Sequence, residues 1–219
     1  MSSSDIEKSP EATPTTRALN RPRGSRVANP GTLGLFSFAS TTFMLSLYNV
    51  QTRGINTPNL VVGMAISCGG LAQVLAGMWE FPRGNMFGAT AFSSYGAFWL
   101  SYAAILIPGT GIVSAYEDNP AELRSAIGIY LITWFMVTFF FFLASLRKNI
   151  GFIALFGLLF TTFILLAAGE FAGSLAATKA GGGVGIATAL VAYYIGLSEL
   201  LAAEEKAIVR LPIGVFKHD

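Results

Sequence analysis

The sequence predicts an all-α integral membrane protein with six transmembrane helices and both termini in the cytoplasm. Three observations predict it. Of 219 residues, 12% are charged and 53% hydrophobic, with a mean hydropathy of +0.59, whereas a soluble domain carries about 25% charge. After Arg26 the charges cluster at Arg53, at Glu80 and Arg83, from Glu117 to Arg124, at Arg147 and Lys148, and at Glu170 and Lys179. The stretches between these clusters are close to the ~20 apolar residues that a membrane helix needs. The 14 basic residues are also unevenly placed. With the N-terminus inside, 11 fall on the inner side, and Arg53, Arg124 and Lys179 fall on the outer. Retention of Lys and Arg in the cytoplasm produces that asymmetry.

Residues 1–28 come first, rich in Ser, Thr, Pro and Arg. They hold too few large apolar side chains to offset the entropy of ordering, so they read as a disordered cytoplasmic arm. They open without the basic-then-apolar pattern of a secretory signal. The six-helix domain follows over 29–202, with apolar segments at 32–51, 59–79, 86–107, 125–146, 150–170 and 183–201. A charged cytoplasmic tail over 203–219 closes the chain.

The helix starts carry their own chemistry. Asn29-Pro30 places a capping amide before a proline preset for the first helical position. Asn56-Thr57-Pro58-Asn59 and Asn85 repeat the pattern before the second and third segments, and Asn119-Pro120 opens a short turn before the fourth. Capped N-termini also present donors and partial positive charge to a carboxylate. Gly181-Gly182-Gly183 lacks the lysine and hydroxyl of a phosphate loop and reads as a flexible outer turn.

Lipid gives helices little hydrophobic reason to associate, so small residues mark the faces where backbones approach. Ala65/Gly69, Ala72/Ala76, Gly84/Gly88 and Ala192/Gly196 are spaced by four, and Gly63, Gly70 and Gly77 by seven. Gln73 lies in the same second segment and needs either a helix partner or a place on a pore wall. Tyr95 and Trp99, four apart, share a face of the third segment, either as packing or as the edge of a conduit. Trp79 fits the inner membrane interface beside Glu80 and Arg83.

Enzyme chemistry finds no support. The single cysteine, Cys68, and the single histidine, His218, build neither a metal cage nor a thiol-histidine pair, and the body's acids, Glu80, Glu170 and Glu199, each sit near a helix end. No catalytic residue, metal site or cofactor is expected. The basic rim follows from topology and carries no nucleic-acid motif, so no nucleic-acid partner is expected.

Asn29-Pro30-Gly31-Thr32-Leu33-Gly34-Leu35 resembles NPAPLGL, the signature of the acetate uptake transporter (succinate-acetate permease) family, departing at Gly31 and Thr32. Glu80-Phe81 through Gly84-Asn85-Met86-Phe87, followed by Ser93-Ser94-Tyr95-Gly96-Ala97-Phe98-Trp99, is similar to the family's EF..GN.F and SSYGAFW. Ala192-Tyr193-Tyr194 adds a weaker match. The resemblance spans about 28–201, and the polar N-terminal arm resembles the fungal branch.

That resemblance implies a homohexamer of six-helix protomers in the plasma membrane, each with its own path for acetate and related small monocarboxylates. It places a constriction at Phe38, at Tyr95 and at a fifth-segment leucine, Leu159 or alternatively Leu155. It places Asn29, Pro30, Leu33, Gly34 and Leu35 at the pathway mouth. An apolar neck strips water from a carboxylate, and protonation lowers that cost, so proton-linked uptake is expected, with channel-like passage as the alternative. Glu80 is the carboxyl placed to take the proton, unless it serves as a structural partner of Arg83. Gln73, Asn85 and Trp99 complete the polar candidates. Ammonia or ammonium export, and a membrane sensor that transports nothing, are the competing functions.

Overall fold

The computed structural model describes residues 27–216. The expected arm therefore lies, apart from its last two residues, outside the described residues, as does His218. Six long helices occur among the described residues: α1 (Gly31–Asn49), α2 (Val61–Glu80), α3 (Met86–Leu106), α4 (Pro120–Ser145), α5 (Ile150–Ala172) and α6 (Leu175–Ala203). The helices α2, α4, α5 and α6 are long and apolar enough to cross a membrane. The other two are richer in small polar residues. Ser37, Thr41, Thr42 and Ser46 of α1 are buried, as is Tyr95 of α3, so each of these helices turns one polar-bearing face into the bundle.

Local chemistry sets most of the helix starts. Asn29 Oδ1 accepts from Gly31 N at 3.0 Å and Asn85 Oδ1 from Gly88 N at 3.1 Å, as the caps predict. Asn149 caps α5 through Phe152 N at 2.8 Å. Three expectations need correction. Asn56 does not cap α2, because its side chain bonds Gln51 and the carbonyl of Gly54 instead. Asn119-Pro120 starts α4 itself, with Asn119 Oδ1 accepting from Glu122 N at 3.2 Å. Gly181-Gly182-Gly183 is no turn, since α6 begins eight residues before Gly183, after the Ser174 cap.

The small residues explain that last correction. A Cβ on Gly181 would stand 2.8 Å from Leu166, and one on Gly182 would stand 2.9 Å from Asn49 and Val50. These glycines let α6 press against α5 and α1, the close approach that holds helices together in lipid. Gly70 and Gly77 likewise face Leu100 and Ser93 of α3, whereas Gly63 faces open space. Gly84 is not part of a helix pair; it sits at φ +77° in the turn between α2 and α3, a conformation glycine adopts without steric cost.

Neighbours run in the order α4, α5, α6, α1, α2, α3. Side chains close the circuit between α3 and α4. The Tyr95 hydroxyl donates to Thr138 Oγ1 at 3.0 Å, and the Tyr130 hydroxyl to the Phe98 carbonyl at 3.1 Å. Within α2, a π-helical stretch over Ser67–Ala72 widens the helix directly before Gln73, a bulge of the kind that redirects side chains at functional sites. The start of α1 meets the end of α6 through an Asn29–Glu199 hydrogen bond of 3.1 Å. The described chain thus enters and leaves the bundle at one end.

The expected solvated tail is tethered over its described part. Ser198 and Tyr194 donate to the carbonyls of Leu211 and Pro212, at 2.6 and 2.8 Å. The amides of Ile150 and Gly151 donate to Gly214 and Ile213, each at 3.0 Å. The returning strand thereby satisfies helix-start donors of α5 that would otherwise need water.

Candidate functional site

A cavity of about 380 Å³ runs inward from that end of the bundle, a volume within the range of small-molecule sites. Its wall changes character with depth. The mouth is polar and holds Asn29, Glu80, Arg83, Asn85, Lys148 and Glu199. The floor is apolar, formed by Leu35, Phe38, Tyr95, Leu155, Phe156 and Leu159.

At the mouth, one hydrogen-bonded chain links three helices. Arg83 Nη1 pairs with Glu80 Oε2 at 3.2 Å and also donates to Asn29 Oδ1. Asn29 passes the contact on through Nδ2 to Glu199 Oε2. Both glutamates lie near the C-terminal ends of their helices, where the macrodipole disfavours negative charge. Glu80 is held by Arg83, three residues on in the following turn, and Glu199 by Asn29, from the far end of the chain. Glu80 is only 1% exposed, and a carboxylate that deep requires its guanidinium. Gly31 is the hub: a Cβ there would lie 2.8 Å from Glu199 Oε2, 3.0 Å from Asn29 Oδ1 and 3.1 Å from Glu80 Oε1. Lys148 sits across the mouth, its Nζ 4.3 Å from the centre of the Phe87 ring.

At the floor, the rings of Phe38 and Tyr95 approach to 5.6 Å between centroids. Tyr95 is clamped on its other sides by Trp134, Phe141 and Phe156. Its hydroxyl is spent on Thr138, which itself donates to the Trp134 carbonyl at 2.7 Å. Tyr95 therefore turns its hydroxyl to α4 and leaves its ring to line the cavity. Between mouth and floor stands Gln73, fully buried, with neither amide oxygen nor nitrogen bonded to protein. An unpaired amide at such a depth is costly, and it lies on the cavity wall.

Of the residues singled out from sequence, the cavity gathers Asn29, Leu35, Phe38, Gln73, Glu80, Asn85, Tyr95, Leu155 and Leu159. It takes both candidate leucines. Pro30, Leu33, Gly34 and Trp99 do not line it. Leu33 is exposed, Gly34 lets the Phe92 ring pack on α1, and Pro30 accepts the Gly34 amide. Trp99 is buried one turn beyond Tyr95, against Phe98 and Tyr102, with its indole N–H unpartnered. Sequence reasoning missed Arg83, Lys148 and Glu199 as wall residues. An acid near a helix C-terminus, against the dipole, was the available signal for Glu199.

The sequence pattern of the GPR1/FUN34/yaaH family matches residues 11–216, nearly the whole chain. The chain belongs to the GPR1/FUN34/yaaH family. It is 42% identical over 194 residues to ammonia transport outward protein 2 of Saccharomyces cerevisiae, covering 89% of this chain and 69% of that one. It is 37% identical over 191 residues to the succinate-acetate/proton symporter SatP of Escherichia coli, covering 87% and 97%. The chain spans about two thirds of the length of the fungal relatives it matches. Among solved structures, the bacterial acetate channel SatP superposes with a TM-score of 0.76 at 36% identity, covering 86% of this chain and all of that one. This GPR1/FUN34/yaaH member is thus an all-helical membrane protein of a family of transporters and channels, not of enzymes.

Proposed function

We propose that this chain carries acetate and related small monocarboxylates across the plasma membrane, together with a proton. The observation that carries the reading is the graded cavity. A mouth with Arg83, Lys148 and amide donors attracts a carboxylate, and an apolar floor of Phe38, Tyr95 and Leu159 admits only a small solute that sheds its water. Gln73 stands between them as a ready partner for a polar headgroup. A bare anion crossing that floor meets a large desolvation cost, and a proton on the carboxylate removes most of it. The match to a protein named as a succinate-acetate/proton symporter supports both solute and coupling.

In this reading all six helices span the bilayer, and the cavity mouth, with both termini, faces the cytoplasm, as the 11-to-3 division of basic residues supports. The protomers assemble as homohexamers with one path each, residues 1–28 form a cytoplasmic arm and the tail from 203 lies on the same side. Glu80 serves first as the partner of Arg83. Ammonium release is the second reading, favoured by the match to ammonia transport outward protein 2. Proteoliposomes of the purified chain separate the two. Uptake of radiolabelled acetate, stimulated by acid outside, supports the first, and release of methylammonium without acetate uptake would replace it with the second.

A further inference from the structure

We infer that Glu199 is the carboxyl that takes the proton at the mouth of the path, held there by Asn29 in the space that the missing side chain of Gly31 leaves open. The inference rests on the acetate reading and names the residue through which its proton passes. Glu199 Oε2 and Glu80 Oε1 both lie near the point where a Gly31 Cβ would stand, at 2.8 and 3.1 Å. The two oxygens are therefore within about 6 Å of each other, close enough for two carboxylates to compete for one cation. The cation is Arg83, and it is already taken: it pairs with Glu80 at 3.2 Å, while Glu199 receives only the neutral amide of Asn29 at 3.1 Å.

Among the described residues, few charged groups face Glu199. From α2 comes Glu80, from the α2–α3 turn Arg83, and from the α4–α5 turn Lys148, which lines the same cavity. On its own helix Ser198 is engaged with the Leu211 carbonyl, and Glu204, Glu205, Lys206 and Arg210 beyond the helix are exposed. With all four mouth groups ionised, Arg83 and Lys148 balance Glu80 and Glu199. One proton on Glu199 leaves a single positive excess in the cavity that the buried, unpaired Gln73 amide also lines, and a carboxylate anion then completes the balance. Proton and acetate binding are therefore linked, each strengthening the other by the same factor.

The step closes in atoms and charge. Acetic acid that has passed the neck gives its proton to Glu199. The acid's O–H bond breaks, an O–H bond forms on a Glu199 oxygen, and acetate is left beside Arg83 and Lys148. Water at the mouth then takes the proton as acetate departs. Glu80 is less available for this exchange, because its Oε2 is already engaged by Arg83 at 3.2 Å.

Titration calorimetry of acetate into the purified full chain, in two buffers of different ionisation enthalpy, counts the protons taken up per acetate. The wild type takes up about one in the range where Glu199 is ionised. Glu199→Gln, which keeps the Asn29 contact, binds acetate with proton uptake near zero and an affinity that no longer falls as pH rises; Glu199→Asp restores the uptake. A merely structural role would change affinity and leave the proton count alone. Wild-type proton uptake in Glu199→Gln overturns the assignment and leaves the acetate reading standing. Failure of the wild type to bind or carry acetate overturns the reading itself, and the assignment with it.

Discussion

The two ends of the cavity solve different problems with different chemistry. The mouth is a network of side chains contributed by the segment before α1, the end of α2, the α2–α3 turn and α6, joined by hydrogen bonds that small displacements would break. The floor is a packed aromatic cluster in which Tyr95 touches Phe38, Trp134, Phe141 and Phe156. A network of charges responds to protons and salt, whereas a close-packed cluster responds to shape. In the proposed path, charge selection would belong to the mouth and size selection to the floor, so each should be alterable without the other.

The largest effect is expected from Tyr95→Ala. Emptying that site removes ring contacts on four sides and the Thr138 bond, at a cost of about 3–5 kcal/mol, seen as a large fall in the thermal midpoint of the purified protein. Arg83→Gln comes next. It leaves Glu80 nearly inaccessible with its cation gone, and because Arg83 is itself 26% exposed, the loss should sit below the ~3–5 kcal/mol of a fully buried pair. Chemical denaturation should read it, together with weaker acetate binding.

Gly31→Ala tests the mouth alone. Its methyl group would press on Glu199, Asn29 and Glu80, and loss of one charge-assisted bond, about 1.5–3 kcal/mol, should lower acetate affinity roughly tenfold or more. Selectivity between acetate and longer acids should stay as in the wild type, and uptake competition assays would show whether it does. The smallest effect belongs to Tyr95→Phe. Thr138 keeps its bond to the Trp134 carbonyl, so stability should fall by about 0.5–1.5 kcal/mol with the size limit intact. A loosened size limit would mean that the hydroxyl, and not the ring, sets the neck.

The same contrast explains what could be read from the sequence. Helix number and most boundaries were legible because charge clusters and the Asn caps at positions 29 and 85 are local signals. The floor was legible through the motif that holds Tyr95 and through Phe38 in the segment after the signature. Much of the mouth was not, because its contacts are distant in sequence: Asn29 and Glu199 are 170 positions apart, and nothing local to either names the other. Gly181-Gly182-Gly183 misled for a related reason. Glycine signals a turn in water, but against Leu166, Asn49 and Val50 it serves as a packing surface. Trp99 shares its helix face with Tyr95 by spacing, yet the indole packs beyond the neck.

The claim that acetate passes through this cavity is tested most directly at the neck itself. Cys68 is the sole cysteine, so a Cys68→Ala chain carrying Leu159→Cys offers one thiol to a small methanethiosulfonate reagent. In proteoliposomes, modification should stop acetate uptake, and acetate present during the reaction should slow the modification. Full modification that leaves uptake unchanged would contradict the account.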